Sequence, residues 1–323
     1  MISLLLTLAG SCAMSLAFKL GSIRRADHEQ IVFLNYLVAA IGLTAYVLIF
    51  LLPKVGTAGE RKVGDHLMFL FFLAFLLALC MVVNLVATDL STERNGLGST
   101  TFFNRAGFLP CIVLEILIWH DMPSALQIAG MAILLAALFE MNFSGRKEGK
   151  KESTALLAVL IMSNGLVSFL NSAYTRYYPE NFQEIFLVLV FYMALAMSSV
   201  RLIRASRKKL QKAVSDVSAS GTSMSEASPD ILVGTFRKNP KRKKMGSAEI
   251  RTGLLIGVSN IITTIFMLRS FTELGAGITA PSIAAGNVLF SMLTGKFVYG
   301  EKTDRHGWTA VGFSIVSMIL VNL

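Results

Sequence analysis

Long apolar runs separated by short polar stretches dominate the hydrophobic pattern of the chain. Each run holds about 17 to 23 residues with almost no charge, the length that an α-helix needs to cross a hydrocarbon layer of roughly 30 Å. The pattern predicts ten membrane segments, at 1–18, 31–52, 67–88, 97–118, 123–142, 153–175, 182–200, 252–269, 275–298 and 305–323. The predicted fold class is an all-α polytopic membrane protein with short connections between antiparallel neighbours.

The composition supports the membrane interpretation and weakens an enzymatic one. Hydrophobic residues make up 54% of the 323 residues and charged residues only 15%, with a mean hydropathy of +0.62. A soluble domain carries about a quarter charged residues. The chain has no glycine-rich phosphate loop, no nucleophile elbow and no clustered Cys or His, so we expect neither an enzyme nor a cofactor.

A basic stretch accounts for most of the net charge of +10. Residues 201–251 contain 13 Lys and Arg against 4 Asp and Glu. Within it, 202–248 is rich in Ser, Lys and Arg, which predicts an exposed, largely disordered insertion. We expect contact with anionic lipid there. Nucleic-acid binding is not expected, because no aromatic residues are interleaved with the basic ones.

The distribution of positive charge predicts an orientation in the cell membrane. The loops after odd-numbered segments hold 23 Lys and Arg, and the loops after even-numbered segments hold 5. Cytoplasmic loops carry the excess of positive charge, so the odd loops, including 202–248, are predicted to be cytoplasmic. Both termini then lie outside.

An internal repeat divides the chain near residue 150. Adding 180 to the numbers of Thr92-Glu93 gives Thr272-Glu273, and adding it to Asp121 gives Glu301. These pairs fall in equivalent turns, so 1–143 and 153–323 are predicted to be two five-helix units. Because five is odd, the units must lie in opposite orientations, and inverted repeats of this kind bind substrate near the midplane.

The ends of each unit resemble the drug/metabolite transporter superfamily, EamA type. The resemblance lies in residues 121–130 and 300–303, and in polar Gly10-Ser11 followed by Phe18-Lys19. His120-Asp121 stands where the family has a Gly-Glu turn. The resemblance implies a five-plus-five helix arrangement that moves small organic molecules. It also implies cytoplasmic termini, opposite to the charge distribution.

Arg105 is the strongest candidate for contact with a substrate. It lies in the first half of the fourth segment, and an ionisable group there needs a partner or a function. A guanidinium suits a carboxylate or phosphate of the solute. A salt bridge to an internal acid, or extension of the side chain to the interface, is the alternative.

Three further charged residues lie near the ends of predicted segments. Glu115 comes late in the fourth segment and Lys296 late in the ninth. Either both residues face the membrane interface, or they form an ion pair across the repeat. A third alternative is that Glu115 couples transport to an ion. Lys19 ends the first segment as an interfacial anchor or as a ligand.

Polar uncharged residues are numerous inside the segments and need partners there. They serve as links between helices or line a polar cavity. The candidates that complete the substrate site with Arg105 are Asn84, Thr101, Asn104, Asn164, Asn171, Asn260, Thr264, Pro281 and Asn287. The ninth segment opens with Gly275, Gly277 and Pro281, which fits either a discontinuous transporter helix or simple close packing.

These features predict a secondary transporter that moves a small organic metabolite, such as an amino acid, organic anion, sugar or drug-like compound. Alternating access would rock the two repeats about a midplane cavity, in a monomer or a homodimer. Two alternatives stay open: a flippase for lipid-linked head groups, and a membrane scaffold or receptor that works through the 202–248 loop.

Overall fold

The protein is helical throughout the part of the chain that its computed structural model describes, residues 2–23, 27–51, 67–95, 97–144, 153–178, 183–219, 246–300 and 305–323. Helices lie at the positions of the predicted segments, with the fourth in two pieces. They are α1 (Ile2–Ile23), α2 (His28–Tyr46, continued by a π-helical turn over Val47–Leu51), α3 (Leu67–Asn95), α4 (Leu97–Arg105), α5 (Phe108–Trp119), α6 (Ala125–Ser144), α7 (Thr154–Tyr177), α8 (Gln183–Ala219), α9 (Ser247–Leu274), α10 (Ala276–Tyr299) and α11 (Arg305–Val321).

Seven helical stretches among the described residues are long and apolar enough to cross a membrane. They lie in α2, α3, α4 together with α5, α7, α8, α9 and α10. The apolar parts of α1 and α6, Ile2–Phe18 and Ala125–Met141, are shorter. The chain is therefore an integral membrane protein, and the crossing of all ten segments stays a prediction.

The predicted insertion at 202–248 is wrong at both of its ends. Helix α8 continues to Ala219, and Ser247 already begins α9. The stretch from 200 to 219 contains no Gly or Pro and is rich in Lys, Arg, Ala and Leu, which favour helix. A basic composition fits an amphipathic helix as well as it fits a disordered segment. Residues 220–245 lie outside the described residues.

The fourth segment is broken between α4 and α5 at Ala106 and Gly107. The N–H of Gly107 donates to the carbonyl of Asn104 over 3.3 Å, a tighter turn than in an α-helix. Pro110 has no N–H with which to continue the α-helical pattern back to Ala106. Helix α7 crosses the break closely, because a Cβ on Gly165 would lie 2.6 Å from Cβ of Pro110.

The two largest buried apolar clusters among the described residues each draw on both predicted repeats. One lies between α2, α3, α7 and α8, where Tyr174 stacks on Phe186 with ring centroids 4.1 Å apart. The other lies between α5, α6, α10 and α11. In the second, Gly130 lets α6 approach α11 closely, since an added Cβ would lie 3.1 Å from the carbonyl oxygen of Ser317.

The packing order places helices of one repeat beside helices of the other. Helix α1 lies along α9, and α3 lies along α7. Helix α2 packs between α8 and α9, while α8 packs between α2 and α3. Helix α6 pairs with α11. The two predicted units are therefore interleaved and do not form separate globules.

Candidate functional site

A cavity of about 360 Å³ opens at one end of the helix bundle, where α5, α7 and α9 end and α6 and α10 begin. We call it the end cavity. Both predicted repeats contribute to its wall. Its lining residues are Ile112, Glu115, Asp121, Met122, Pro123, Gln127, Ser172, Thr175, Arg176, Phe271, Thr272, Leu274, Gly275, Ala276, Gly277 and Ile278.

Glu115 is a buried carboxylate in the wall of this cavity. It shares the inward face of α5 with Phe108, Cys111 and Ile112, at the i, i+3, i+4 and i+7 positions of a helical stripe. Only 4% of the residue is exposed. Its Oε1 has no hydrogen-bond partner among the described residues, and Ser172 of α7 lies beside the carboxylate. A buried oxygen without a partner costs free energy, so this site is suited to receive a donor.

Arg176 bridges the two carboxylates of the cavity from the last turn of α7. Its Nη2 donates a hydrogen bond to Oδ2 of Asp121. The same atom lies 3.6 Å from Oε2 of Glu115, close enough for an ion pair but too far for a hydrogen bond. The guanidinium also lies over the ring of Trp119, 4.6 Å from its centroid. Arg176 is therefore held mainly by Asp121 and Trp119, and Glu115 is left partly uncompensated.

The turn between α5 and α6 holds Asp121 at the mouth of the cavity. His120 ends α5 in the left-handed conformation with φ of 57°, and its N–H donates to the carbonyl of Ile116 over 3.0 Å. A reciprocal capping box starts α6: Ser124 N–H donates to Oε1 of Gln127 over 2.9 Å, and Gln127 N–H donates to Oγ of Ser124 over 3.2 Å. Helix α6 therefore begins at Ala125, two residues inside the predicted segment 123–142.

A polar cluster of four residues lies deeper, at the break in the fourth segment. Nδ2 of Asn84 on α3 donates to Oδ1 of Asn104 over 3.2 Å, and it lies 3.1 Å from Oγ of Ser163 on α7. Asn164 donates to the carbonyl of Asn104, which the break leaves accessible. We call Asn84, Asn104, Ser163 and Asn164 the inner cluster. It joins α3, α4 and α7, and it includes three of the predicted site residues.

Arg105 follows the inner cluster directly and lies inside the stretch Ser99–Trp119 that can span a membrane. Its side chain is partly buried, and no hydrogen bond, ion pair or ring contact engages it within the described residues. It does not line the end cavity. Arg105 precedes Glu115 by ten residues, about 15 Å along a helix axis, so it belongs to a deeper level of the protein.

The remaining predicted site residues are distributed over other helix contacts. Nδ2 of Asn260 on α9 donates to Oδ1 of Asn35 on α2 over 3.1 Å. The hydroxyl of Thr264, one turn later in α9, donates to Oδ1 of Asn260. Asn171 is buried and donates to the carbonyl of Val167 in its own helix. These three predicted residues link or face helices and do not line the end cavity.

Asn287, Pro281 and Thr101 complete that set. Oδ1 of Asn287 on α10 accepts a hydrogen bond of 2.6 Å from Oγ of Ser11 on α1. Pro281 is buried within α10, which is continuous from Ala276 to Tyr299, so the break predicted as one option for this helix occurs in the fourth segment instead. Thr101 lies on α4 one turn before Arg105, partly buried.

The ion pair considered between Glu115 and Lys296 is wrong. Glu115 lies one turn before the end of α5, at the end cavity, whereas Lys296 lies twenty residues after α10 begins there. That separation is about 30 Å along the helix, so the two charges are at opposite ends. Lys296 Nζ lies instead over the ring of Trp308, 4.3 Å from its centroid. The side chain of Lys19, within α1, lies outside the described side chains.

Glu115 is the predicted site residue that lines the end cavity, and its polar companions Asp121, Gln127, Ser172, Thr175, Arg176 and Thr272 were not predicted as site residues. Arg176 falls at the end of the sixth segment, where a basic residue is an ordinary interfacial anchor. The spacing of Ser172 and Arg176, one helical turn apart at the end of an apolar run, was the only available signal. Their pairing with Glu115 and Asp121 is a tertiary contact between residues more than fifty positions apart.

Comparisons with known proteins identify the fold but not a family. No protein-family model and no curated protein matches the chain. Solved structures do match, and one crystal structure of a protein has a TM-score of 0.66 at 9% identity. The match covers 99% of this chain and 94% of that one. At this identity the likeness concerns the arrangement of helices alone.

Proposed function

We propose that the protein is a secondary transporter of the cell membrane that moves a small organic metabolite by alternating access. Ten segments cross the membrane as two inverted five-helix units, 1–143 and 153–323, of the EamA type. Rocking of the units exposes a central site to each side in turn. No nucleotide-binding motif is available to drive the cycle, so a gradient of the solute or of an ion supplies the energy.

The order of helix packing supports the inverted repeat. If segments one to five correspond to six to ten, the neighbours α1 and α9 correspond to α7 and α3, which are also neighbours. The neighbours α2 and α9 correspond in the same way to α8 and α3. The pairs α2–α8 and α6–α11 each join a helix to its own counterpart. A twofold relation between the units accounts for all of these contacts.

The polar contacts between helices follow the same relation. Asn104 and Asn287 belong to the fourth segment of their respective units, and each contacts the first helix of the other unit. Asn104 is bound by Asn164 of α7, and Asn287 is bound by Ser11 of α1. Equivalent polar bridges in both halves favour a central path between the units.

The observation that carries the proposal is the end cavity itself. It lies between helices of both units, opens at one end of the bundle, and has polar and charged walls in a chain that is otherwise apolar. Arg105 lies deeper along the same segment, without a partner within the described residues. A polar entrance above an uncompensated cation fits a path for a solute that carries an acidic group.

Uptake into proteoliposomes tests this function. The purified protein is reconstituted and offered labelled amino acids, organic acids, sugars and nucleosides, with protein-free liposomes as the reference. We expect saturable uptake of at least one class that carries a carboxylate or phosphate. Arg105→Ala should lower that uptake at least tenfold, and Arg105→Lys should retain part of it.

Arg269→Ala is the matched control, because Arg269 pairs with Glu184 outside the cavity wall. Its uptake should stay within twofold of the unmodified protein. Unchanged uptake in Arg105→Ala would remove Arg105 from the site. No uptake of any class would contradict the transporter.

A further inference from the structure

The ionisable groups of the end cavity favour positive charge. They are Glu115, Asp121 and Arg176. With both carboxyl groups ionised, two carboxylates against one guanidinium give a net charge of −1. Because a cleft with apolar walls strengthens the field of the charges that line it, the cavity then attracts the positively charged group of a solute.

Glu115 is the origin of the excess charge. Arg176 gives its hydrogen bond to Asp121 and stands 3.6 Å from Glu115. Oε1 of Glu115 is shielded and has no hydrogen-bond partner among the described residues. The terminal torsion of a glutamate is soft, so a small rotation presents this oxygen to the cavity. A donor with positive charge satisfies both the missing hydrogen bond and the missing charge.

The helix ends add to this preference. Helices α5, α7 and α9 all end at the cavity, where their last carbonyls carry partial negative charge. Helices α6 and α10 begin there, and their first N–H groups carry partial positive charge; in α6 the capping box pairs the N–H groups of Ser124 and Gln127. Three negative helix ends against two positive ones leave a small preference for a cation.

The size and chemistry of the walls favour an organic cation over a metal ion. A volume of about 360 Å³ is far larger than a bare ion, and Ile112, Met122, Phe271 and Ile278 add an apolar wall to the charged one. The described residues contain no group of three or more Asp, Glu, His or Cys side chains that could hold a metal. A primary amine suits these walls better, because its ammonium group donates to oxygens and its hydrocarbon part contacts apolar side chains.

We infer that the end cavity binds the protonated amine of a small organic solute, with Glu115 as the carboxylate that accepts from the ammonium group. Ser172 lies beside the carboxylate as a second oxygen, and the apolar wall packs against the hydrocarbon part. The inference rests on the proposed function only in treating the bound amine as cargo. Since Arg105 is suited to an acidic group at a deeper level, a solute that uses both levels carries both groups.

Equilibrium binding of 2-phenylethylamine and 2-phenylethanol to the full protein in detergent tests the inference. The two molecules have the same shape and differ in an ammonium group against a hydroxyl. We expect isothermal titration calorimetry at pH 7 to show the amine binding at least tenfold more tightly. This comparison needs no variant, so it stays informative even if a substitution harms folding.

Glu115→Gln locates the site. It keeps the size of the side chain and removes its charge, so amine affinity should fall at least tenfold while the alcohol is unaffected. Glu184→Gln is the matched control, because Glu184 is a second buried carboxyl but pairs with Arg269 and does not line the cavity. It should retain the full preference for the amine.

Equal affinity for the amine and the alcohol would overturn the inference, and so would a preference that survives in Glu115→Gln. Binding in detergent is separate from uptake into proteoliposomes. A protein that takes up an acidic solute but does not bind the amine keeps the proposed function and loses this site. A protein that binds the amine through Glu115 but moves no solute keeps the site and loses the function.

Discussion

The two polar bridges at the fourth segment of each predicted unit are built differently. In the first unit, Asn84, Asn104, Ser163 and Asn164 interlock three helices around a break in the backbone. In the second unit, one hydrogen bond among the described residues joins Ser11 to Asn287, and α10 runs through without a break. Gly, Asn and Pro occur at both places in opposite orders, and they form a three-helix junction on one side, which we call the rigid junction, and a simple contact on the other.

Proline alone does not explain the difference. Pro110 is the third residue of α5 and Pro281 is the sixth residue of α10, yet α10 runs through its proline without a break. The first junction combines Pro110 with Gly107 and with the close approach of α7 at Gly165. Because the inner cluster also links three helices there, we expect the first junction to move as one body, while the second is the contact that yields when the units rock.

The largest expected effect on stability comes from adding a side-chain carbon where α7 lies closest to the rigid junction. Gly165→Ala places a Cβ 2.6 Å from Cβ of Pro110 and 2.8 Å from the carbonyl oxygen of Gly107. Neither neighbour is a flexible side chain, so the free energy of unfolding should fall by about 1–3 kcal/mol, as overpacking does elsewhere. Thermal unfolding in detergent measures it.

Gly312→Ala is the control for that substitution. No atom lies within 4 Å of the Cβ that it adds, and alanine is the better helix former. Its unfolding temperature should be unchanged or slightly raised. A Gly165→Ala protein as stable as Gly312→Ala would show that α7 and the break are not in close contact.

A smaller loss of stability is expected when either polar bridge of the fourth segments is removed, and its size should differ between the two. Asn84→Leu removes a donor that serves both Asn104 and Ser163, whereas Asn287→Leu removes one partner of Ser11. Hydrogen bonds between membrane helices contribute about 0.6 kcal/mol on average, so we expect a loss near 1 kcal/mol for the first and about half of that for the second. Unfolding of both variants by denaturing detergent gives the two losses, and a larger loss for Asn287→Leu would reverse the assignment of the rigid side.

The sequence was sufficient to predict where the helices lie, but it was not sufficient to predict the end cavity. Apolar length alone located α2, α3 and α7 because only helices satisfy their backbone groups inside a bilayer. It also predicted that Asn84, Asn104 and Asn164 need partners, and the structure brings these three together. The break in the fourth segment was not predicted, since its cause is the combination of Gly107, Pro110 and the approach of α7.

The end cavity could not be predicted from the sequence for a similar reason. Glu115 could be recognised as an acid within an apolar helix, but its neighbours Asp121 and Arg176 looked like ordinary turn and interface residues. Which charges meet depends on how α5 and α7 cross. The pairing considered for Glu115 with Lys296 is wrong because α5 ends and α10 begins at the end cavity, which leaves Lys296 about 30 Å from it along α10.

Accessibility of the inner cluster from the two faces of the membrane tests the central claim most directly. Asn104→Cys and Thr175→Cys are made in a chain whose native Cys12, Cys80 and Cys111 are replaced, and each is exposed to an impermeant maleimide in right-side-out and inside-out vesicles. Alternating access predicts that Thr175→Cys, in the end cavity, reacts from one face only, which also fixes the orientation. It predicts that Asn104→Cys reacts from both faces. Reaction of Asn104→Cys from a single face, or from neither, would contradict the transporter.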